Sequence, residues 1–278
     1  MSLRKPKLAL PRGACDTHMH FYDQNIPGAP GTFLPGHFTV EEYREIQKRL
    51  GLERVIVVQP NAYADDNRVT IDSIKKIGKN AKGVAVVKPG VKDAELERLT
   101  KAGIVGLRIM TLHGGMLGFD VMDELMARVH PHGWHANLQF DGQELPRYEA
   151  QIKRLPGRFV IDHTGKFLEP VGVDSPAFKS LLQLVDTGRC WVKLSAPYET
   201  SKTGGPTYED VARLARALVR RAPERMLWAS NWPHPSARKP QPPDDADLLD
   251  LLLDWAPDDK TRKQILADNP AELYAFKD

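Results

Sequence analysis

The chain has 278 residues, of which 41% are hydrophobic and 27% charged, as in an ordinary globular protein. The formal net charge is only +3 and Lys and Arg form no cluster, so we expect no nucleic-acid partner. The N-terminal apolar patch is too short for a signal peptide, and no apolar run reaches transmembrane length. Cys15 and Cys190, the only cysteines, lie in apolar runs that favour buried reduced thiols. These features predict a cytoplasmic protein without a membrane contact.

Short apolar segments alternate with amphipathic segments along the whole chain. In chain order, the predicted strands are residues 14–21, 54–60, 82–89, 103–110, 134–140, 159–165, 190–196 and 226–233. The predicted helices are residues 39–50, 67–78, 93–102, 119–132, 144–155, 175–187 and 207–221, with one or two more in 244–276. The first helix has Thr39 and Glu42 in the spacing of a capping box.

Strict alternation of strand and helix predicts parallel βαβ units. Eight such units in about 250 residues fit a closed (β/α)8 barrel of the TIM type, formed as a single domain over residues 1–278. A doubly wound open sheet is the alternative, although no GxGxxG motif follows an early strand. The Pro-rich stretch 237–245 is interpreted as a long loop after the last strand.

Polar side chains gather at the carboxyl ends of the predicted strands, where the active site of such a barrel is built. His18 and His20 are two apart on the first strand, so alternation places both on one face together with Asp16. His163 on the sixth strand brings a third imidazole to the same end. Converging imidazoles suit proton transfer or metal binding, whereas buried structural histidines are the simpler alternative.

Cationic side chains near these histidines indicate an anionic ligand. Arg108 ends the fourth strand and offers a planar fork for a carboxylate, unless it only faces solvent. Lys166, which follows the sixth strand, is selected as a further substrate contact. Lys193 lies inside the apolar run CWVKLSA, so it either binds an anion or pairs with an acid. We therefore expect a small carboxylate-bearing substrate.

Further strand-end residues are hydrogen-bonding candidates or ordinary loop residues. For contacts to the substrate we select Asn61, Gln139 and Tyr198. His113, followed by two glycines, indicates a lid or a plain turn. His234 either lines the pocket or caps a turn.

Three motifs together resemble the amidohydrolase superfamily: DTHMHFYD at the first strand, IDHTGK at the sixth and SNWPH at the eighth. The resemblance covers nearly the whole chain. It is nearest to the branch of 2-pyrone-4,6-dicarboxylate lactonases and sugar-acid lactonases, and QFDG and HTGKF are similar to galactarolactone isomerases. The resemblance implies a barrel enzyme acting on a cyclic ester, in which His18, His20 and His163 polarise the ester carbonyl or move a proton.

Asn231 departs from the family pattern, which has at this position an Asp that activates water. An amide accepts no proton near neutral pH, and loss of a general base costs about 10²–10⁴-fold in rate. Attack by a hydroxyl of the substrate itself needs less assistance, because effective molarities reach about 10⁵ M. Asn231 would hold a substrate hydroxyl or orient a histidine. We therefore predict isomerisation of a sugar-acid (aldarate) lactone by intramolecular acyl transfer.

Four alternatives stay open at this stage. The chain could be a lactone hydrolase that uses a histidine as the base, a metal-dependent decarboxylase, a catalytically dead enzyme, or a carboxylate-binding barrel without catalysis. Three histidines can hold zinc, so a divalent ion on His18, His20 and His163 is possible. Because Asn231 is a poor ligand and the lactonases of the branch work without metal, we expect no cofactor.

Overall fold

The computed structural model describes residues 4–112, 115–236 and 242–277. Eight parallel strands form one sheet in chain order. These strands, β1 to β8, are Cys15–Met19, Arg54–Val58, Ala81–Ala85, Ile104–Met110, His135–Gln139, Phe159–Ile161, Cys190–Leu194 and Met226–Trp228. The α-helices α1 to α11 are Val40–Leu50, Arg68–Ile77, Asp93–Lys101, Met122–Val129, Leu145–Arg154, Pro176–Val185, Glu209–Arg221, Asp245–Asp250, Leu252–Trp255, Asp259–Lys263 and Asn269–Tyr274.

The sheet closes through hydrogen bonds between β1 and the chain at and beyond β8. Thr17 Oγ1 donates to the Trp228 carbonyl at 2.8 Å, and the backbone N–H of Asn231 donates to the His18 carbonyl at 2.9 Å. With helices between successive strands, the fold is a (β/α)8 barrel, as predicted, and the open-sheet alternative is wrong. No helix within the described ranges is long and apolar enough to cross a membrane.

Two apolar cores hold the barrel together. Inside it, side chains from several strands pack on one another and on α11, for example Ile56, Val160, Trp191 and Tyr274. A larger core lies between the sheet and the surrounding helices. All eight strands are almost fully buried, which explains their apolar composition on both faces.

Several predicted boundaries need correction. The predicted sixth and eighth strands are shorter than expected: β6 ends at Ile161 and β8 at Trp228. The segment His163–Gly165 forms a 3₁₀ turn instead of a strand. The tail holds α8 to α11 and a π-helical turn, Gln264–Asp268, rather than one or two helices. His113 and most of the Pro-rich loop lie outside the described residues.

The predicted capping box at the start of α1 is confirmed. Thr39 Oγ1 accepts from the Glu42 amide at 3.2 Å, and Glu42 Oε2 accepts from the Thr39 amide at 2.8 Å. Both thiols are buried and unpaired.

Candidate active site

A cavity of about 270 Å³ opens at the carboxyl end of the barrel. Six of the ten side chains selected from the sequence line it: His20, Asn61, Arg108, Gln139, His163 and Asn231. The other four, His18, Lys166, Lys193 and Tyr198, lie behind its wall. A larger hollow of about 800 Å³ lies at the amino ends of β1 to β3 and contains none of these ten residues.

The turns after the strands bring the site residues inward through unusual backbone conformations. His163 has a φ of 53°, Ala196 of 46° and Asn231 of 59°, all in the left-handed region that L-residues rarely adopt. Such strain persists only where the surrounding structure imposes it, and it concentrates at functional sites. Here it occurs at the ends of three consecutive strands.

An irregularity in β1 separates Asp16 from the two histidines. The register with β2 shifts between Asp16 and Met19, which breaks the alternation of side chains. Asp16 accepts hydrogen bonds from Tyr43 Oη of α1 at 2.8 Å and from the Ser230 amide at 3.0 Å. The expectation that Asp16 shares one face with His18 and His20 is therefore wrong. Asp16 instead ties β1 to α1 and to the chain beyond β8.

Each ring nitrogen of His18 and His20 has a protein partner. His20 Nδ1 lies 2.7 Å from the Val58 carbonyl oxygen, which can only accept, so this nitrogen carries the proton. His20 Nε2 then accepts from His18 Nε2 at 3.2 Å. His18 Nδ1 is left as an acceptor, and Lys193 Nζ lies 3.1 Å from it. Asp162 Oδ1 also lies 3.3 Å from His18 Nδ1, but an ionised carboxylate only accepts, so Lys193 Nζ is the partner that fits this tautomer.

His163 has the only imidazole nitrogen among these three rings that is free for a ligand. Its Nδ1 bonds Ser195 Oγ at 2.8 Å, whereas no residue of the described chain bonds Nε2. Burial lowers the pKa of His18 to about 4 and places the pKa values of His20 and His163 well below the usual range. All three rings are therefore neutral at physiological pH.

Lys193 forms a buried ion pair beneath the histidines. Its ammonium lies 3.0 Å from Asp162 Oδ1 and donates to Asn137 Oδ1 at 2.7 Å, while Asn137 Nδ2 donates to Asp162 Oδ2 at 2.8 Å. Burial acts to raise the pKa of Asp162, but the Lys193 ammonium beside it holds that pKa well below its usual range. Of the two alternatives, pairing with an acid is therefore the geometry observed, and Lys193 does not line the cavity.

A cluster of metal-ligand type lies at the same place. Ligand atoms of His18, Asp162 and His163 all lie within 4.8 Å of one another. However, the Lys193 ammonium contacts both His18 Nδ1 and Asp162 Oδ1, so it occupies the position that a cation would take between them. A divalent ion here would meet a fixed positive charge within a few ångströms. This donor set does not fit a metal ion while Lys193 is charged.

Arg108 is a buried cation without a carboxylate partner among the residues described. Its guanidinium donates to the Gln59 carbonyl and to Gln139 Oε1, each at 2.7 Å, and Nε has no partner. The side chain is 5% exposed and lines the cavity. The bond to Arg108 fixes the Gln139 amide so that its Nε2 is left to donate. Arg108 and Gln139 thus present positive charge and an N–H donor to a ligand.

A chain of hydrogen bonds fixes the orientation of the Asn231 amide. Asn231 Nδ2 donates to Tyr198 Oη at 2.8 Å and to Glu199 Oε1 at 3.1 Å. Tyr198 in turn bonds His234 Nδ1 at 3.0 Å, and His234 Nε2 bonds Asp245 at 3.0 Å. Since both Nδ2 hydrogens are used, Oδ1 is the atom that Asn231 offers to a ligand.

Glu199 is the site residue that sequence reasoning passed over. It stands directly after Tyr198 in the strand-end stretch KLSAPYE, lines the cavity and forms an ion pair with Lys166. Its position after a strand was the available signal, although a Glu in a loop is usually solvent-exposed. Lys166, selected as a substrate contact, is thus already engaged by a protein carboxylate.

Known proteins resemble this chain over nearly its whole length. The chain is 39% identical to D-galactarolactone isomerase of Agrobacterium fabrum, over 97% of this chain and 93% of that protein. It is 35% identical to a 2-pyrone-4,6-dicarboxylate hydrolase of Comamonas testosteroni, over 97% and 92%. A crystal structure of an Agrobacterium tumefaciens protein in its apo form superposes with a TM-score of 0.92 at 38% identity, covering 99% of this chain and 98% of that one. The family model described as amidohydrolase matches residues 15–276, and the chain therefore belongs to the amidohydrolase family.

Proposed function

We propose that the protein isomerises a carboxylate-bearing sugar-acid lactone by moving the acyl group from one hydroxyl oxygen to another. The observation that carries this proposal is Asn231. It lies in the cavity wall, and its amide is held so that Oδ1 accepts a hydrogen bond but no proton. The identity to D-galactarolactone isomerase over nearly the whole chain supports the same reaction class.

Arg108 binds the carboxylate of the substrate. It is the buried cation of the cavity wall for which the described residues provide no counter-anion. A ligand carboxylate in the cavity would supply the counter-charge that Arg108 lacks, through a charge-assisted contact with its guanidinium. This contact fixes one end of the substrate and so places the ester near the histidines.

In this rearrangement a proton moves from one oxygen of the substrate to another, and no proton is released to solvent. A substrate hydroxyl beside Asn231 attacks the lactone carbonyl carbon and gives its proton to His163 Nε2, while Asn231 Oδ1 accepts a hydrogen bond from a second hydroxyl of the substrate. The new C–O bond forms a tetrahedral oxyanion, towards which the Gln139 amide N–H is available to donate. The original C–O bond then breaks, and His163 returns the proton to the departing alkoxide. One ester and one hydroxyl are present before and after the reaction.

The low pKa of His163 suits this cycle better than hydrolysis. A weak base can pass a proton between two oxygens of one substrate within a single turnover. Attack by water has no such proximity advantage, which is worth up to about 10⁵ M in effective concentration. Without a carboxylate base next to the water, internal attack is the faster route.

Hydrolysis of a lactone by His163 as the base is the second candidate. The free Nε2 of His163 in the cavity favours it, as does the 35% identity to a 2-pyrone-4,6-dicarboxylate hydrolase. The two reactions differ in the origin of one oxygen atom in the product.

Turnover of D-galactarolactone isomers in ¹⁸O-labelled water tests the proposal. We expect NMR to show conversion between lactone ring sizes without ¹⁸O in the product and without acid release in a pH-stat. Incorporation of ¹⁸O at the rate of turnover would establish hydrolysis instead.

We further propose that this reaction needs no metal. The Lys193 ammonium between His18 and Asp162 supports this, because it neutralises the carboxylate that an ion would require. Activity should persist after dialysis against a chelator, and elemental analysis should find less than stoichiometric divalent metal. Loss of activity that added zinc restores would refute it.

A further inference from the structure

The ion pair between Lys166 and Glu199 takes no part in the steps above beyond the bond by which Glu199 holds the Asn231 amide, although Glu199 lines the cavity and Lys166 lies directly behind it. We propose that Glu199 is a specificity-determining residue: it masks Lys166, so that the site accepts a lactone with one carboxylate and rejects a dicarboxylate. This inference rests on the proposed function, since it concerns the ligand of the same site.

The two side chains of the pair are removed from solvent. Lys166 is 8% exposed and Glu199 is 5% exposed in the side chain. Glu199 Oε2 contacts Lys166 Nζ, and Oε1 accepts from Asn231 Nδ2 at 3.1 Å. Both carboxylate oxygens are therefore held by protein donors, and Glu199 stands between the lysine and the space that a ligand fills.

The charges around the cavity leave room for one anion. Arg108, Lys166 and Lys193 are positive, and Asp162 and Glu199 are negative. Lys193 is neutralised by Asp162 below the site, and Lys166 by Glu199 in the wall. Among the described residues around the cavity, Arg108 is therefore the one cation whose charge no carboxylate neutralises.

A second carboxylate would therefore meet the wrong partner. If its first carboxylate lies on Arg108, a second one directed at the opposite wall would approach Glu199, and like charges at contact distance repel strongly in a partly desolvated site. A hydroxyl at that place instead donates to a Glu199 oxygen. The wall thus favours a polyhydroxylated ring with a single carboxylate.

Replacing Glu199 by an isosteric amide tests the masking directly. In Glu199→Gln the new carbonyl still accepts from Asn231 Nδ2, but Lys166 loses its counter-charge. We expect affinity for 2-pyrone-4,6-dicarboxylate, measured by titration calorimetry, to rise about 10- to 100-fold, the value of one charge-assisted contact. Affinity for D-galactarolactone should fall or stay the same.

The double variant Lys166→Gln, Glu199→Gln is the matched control. It removes the unmasked ammonium as well as the repelling carboxylate, so the gain in dicarboxylate affinity should shrink to the part that comes from the lost repulsion, while circular dichroism reports whether each variant is folded. Unchanged preference between the two ligands in folded Glu199→Gln would overturn the inference, and so would a gain in the double variant as large as that in Glu199→Gln. If Glu199→Gln does not fold, Glu199→Asp serves, because its shorter carboxylate should loosen the pair and give a smaller gain in the same direction.

These binding measurements separate the inference from the proposed reaction. A wild-type protein that isomerises lactones, with a Glu199→Gln variant that gains no dicarboxylate affinity, refutes only the masking role. A protein that turns over no lactone, with a variant that gains dicarboxylate affinity, refutes only the proposed function.

Discussion

Replacement of Asn231 by Asp should supply the site with the base that it lacks for activating water. The new carboxylate would face Tyr198 Oη at about the present 2.8 Å and Glu199 Oε1 at about 3.1 Å. As a base beside a bound water, it should raise the rate of lactone hydrolysis by about 10²–10⁴-fold. The neighbouring Glu199 opposes this gain by disfavouring the charged form.

The repulsion between the new carboxylate and Glu199 follows from the distance between them. Two unit charges 3.1 Å apart repel by about 5 kcal/mol at an effective dielectric constant of about 20. If Lys166 offsets roughly half of this, the pKa of the new carboxyl rises by about 2 units, to about 6. The carboxylate is then mostly ionised at pH 8. Hydrolysis should therefore rise with pH, be near its maximum at pH 8 and fall as pH drops through about 6.

The assay follows ¹⁸O incorporation and acid release from D-galactarolactone between pH 5 and pH 8. Asn231→Ala is the control, because it removes the amide without supplying a base and should lower isomerisation without adding hydrolysis. The double variant Asn231→Asp, Glu199→Gln should shift the pH profile downward, since the like charge is gone. A folded Asn231→Asp protein that hydrolyses no faster than wild type at pH 8 would refute the argument that the missing base at this position limits hydrolysis.

Three further substitutions test the surroundings of the site. Arg108→Met should raise KM about 10- to 100-fold for a carboxylate-bearing lactone but little for its methyl ester, and equal effects on both ligands would contradict carboxylate binding. Lys193→Met leaves the buried carboxylate of Asp162 without a counter-charge, so the free energy of unfolding in denaturant should fall by about 3–5 kcal/mol. The added change Asp162→Asn should recover part of this loss, and a loss below about 1 kcal/mol would argue against the ion pair. Tyr198→Phe removes one acceptor of Asn231 Nδ2, so kcat should fall about tenfold with little change in KM, whereas a change in KM alone would point to direct substrate contact.

The sequence predicted which residues meet at the site better than it predicted which of them line the cavity and which lie behind its wall. Reading polar residues at strand ends located the cavity wall, since six of the ten selected residues line it. The same reading selected Lys166 as a substrate contact and left Lys193 between binding an anion and pairing with an acid, because a cation near a pocket indicates an anion. Their partners Glu199 and Asp162 are distant in sequence, by 33 and 31 positions, so no local pattern links them.

The alternation of apolar strands with amphipathic helices determined the barrel, because burial on both sheet faces and on one helix face is a local property of each segment. The motifs at the strand ends determined the family, and Asn231 indicated which reaction to test. Only the tertiary structure decided which cation is free, which imidazole nitrogen is open and which way the Asn231 amide points. These properties depend on hydrogen bonds and ion pairs between strands far apart in the chain, as in the contact of Lys193 with His18. A shift of register in β1 likewise placed the Asp16 carboxylate away from the His18 ring, because a single irregularity changes which face each following side chain occupies.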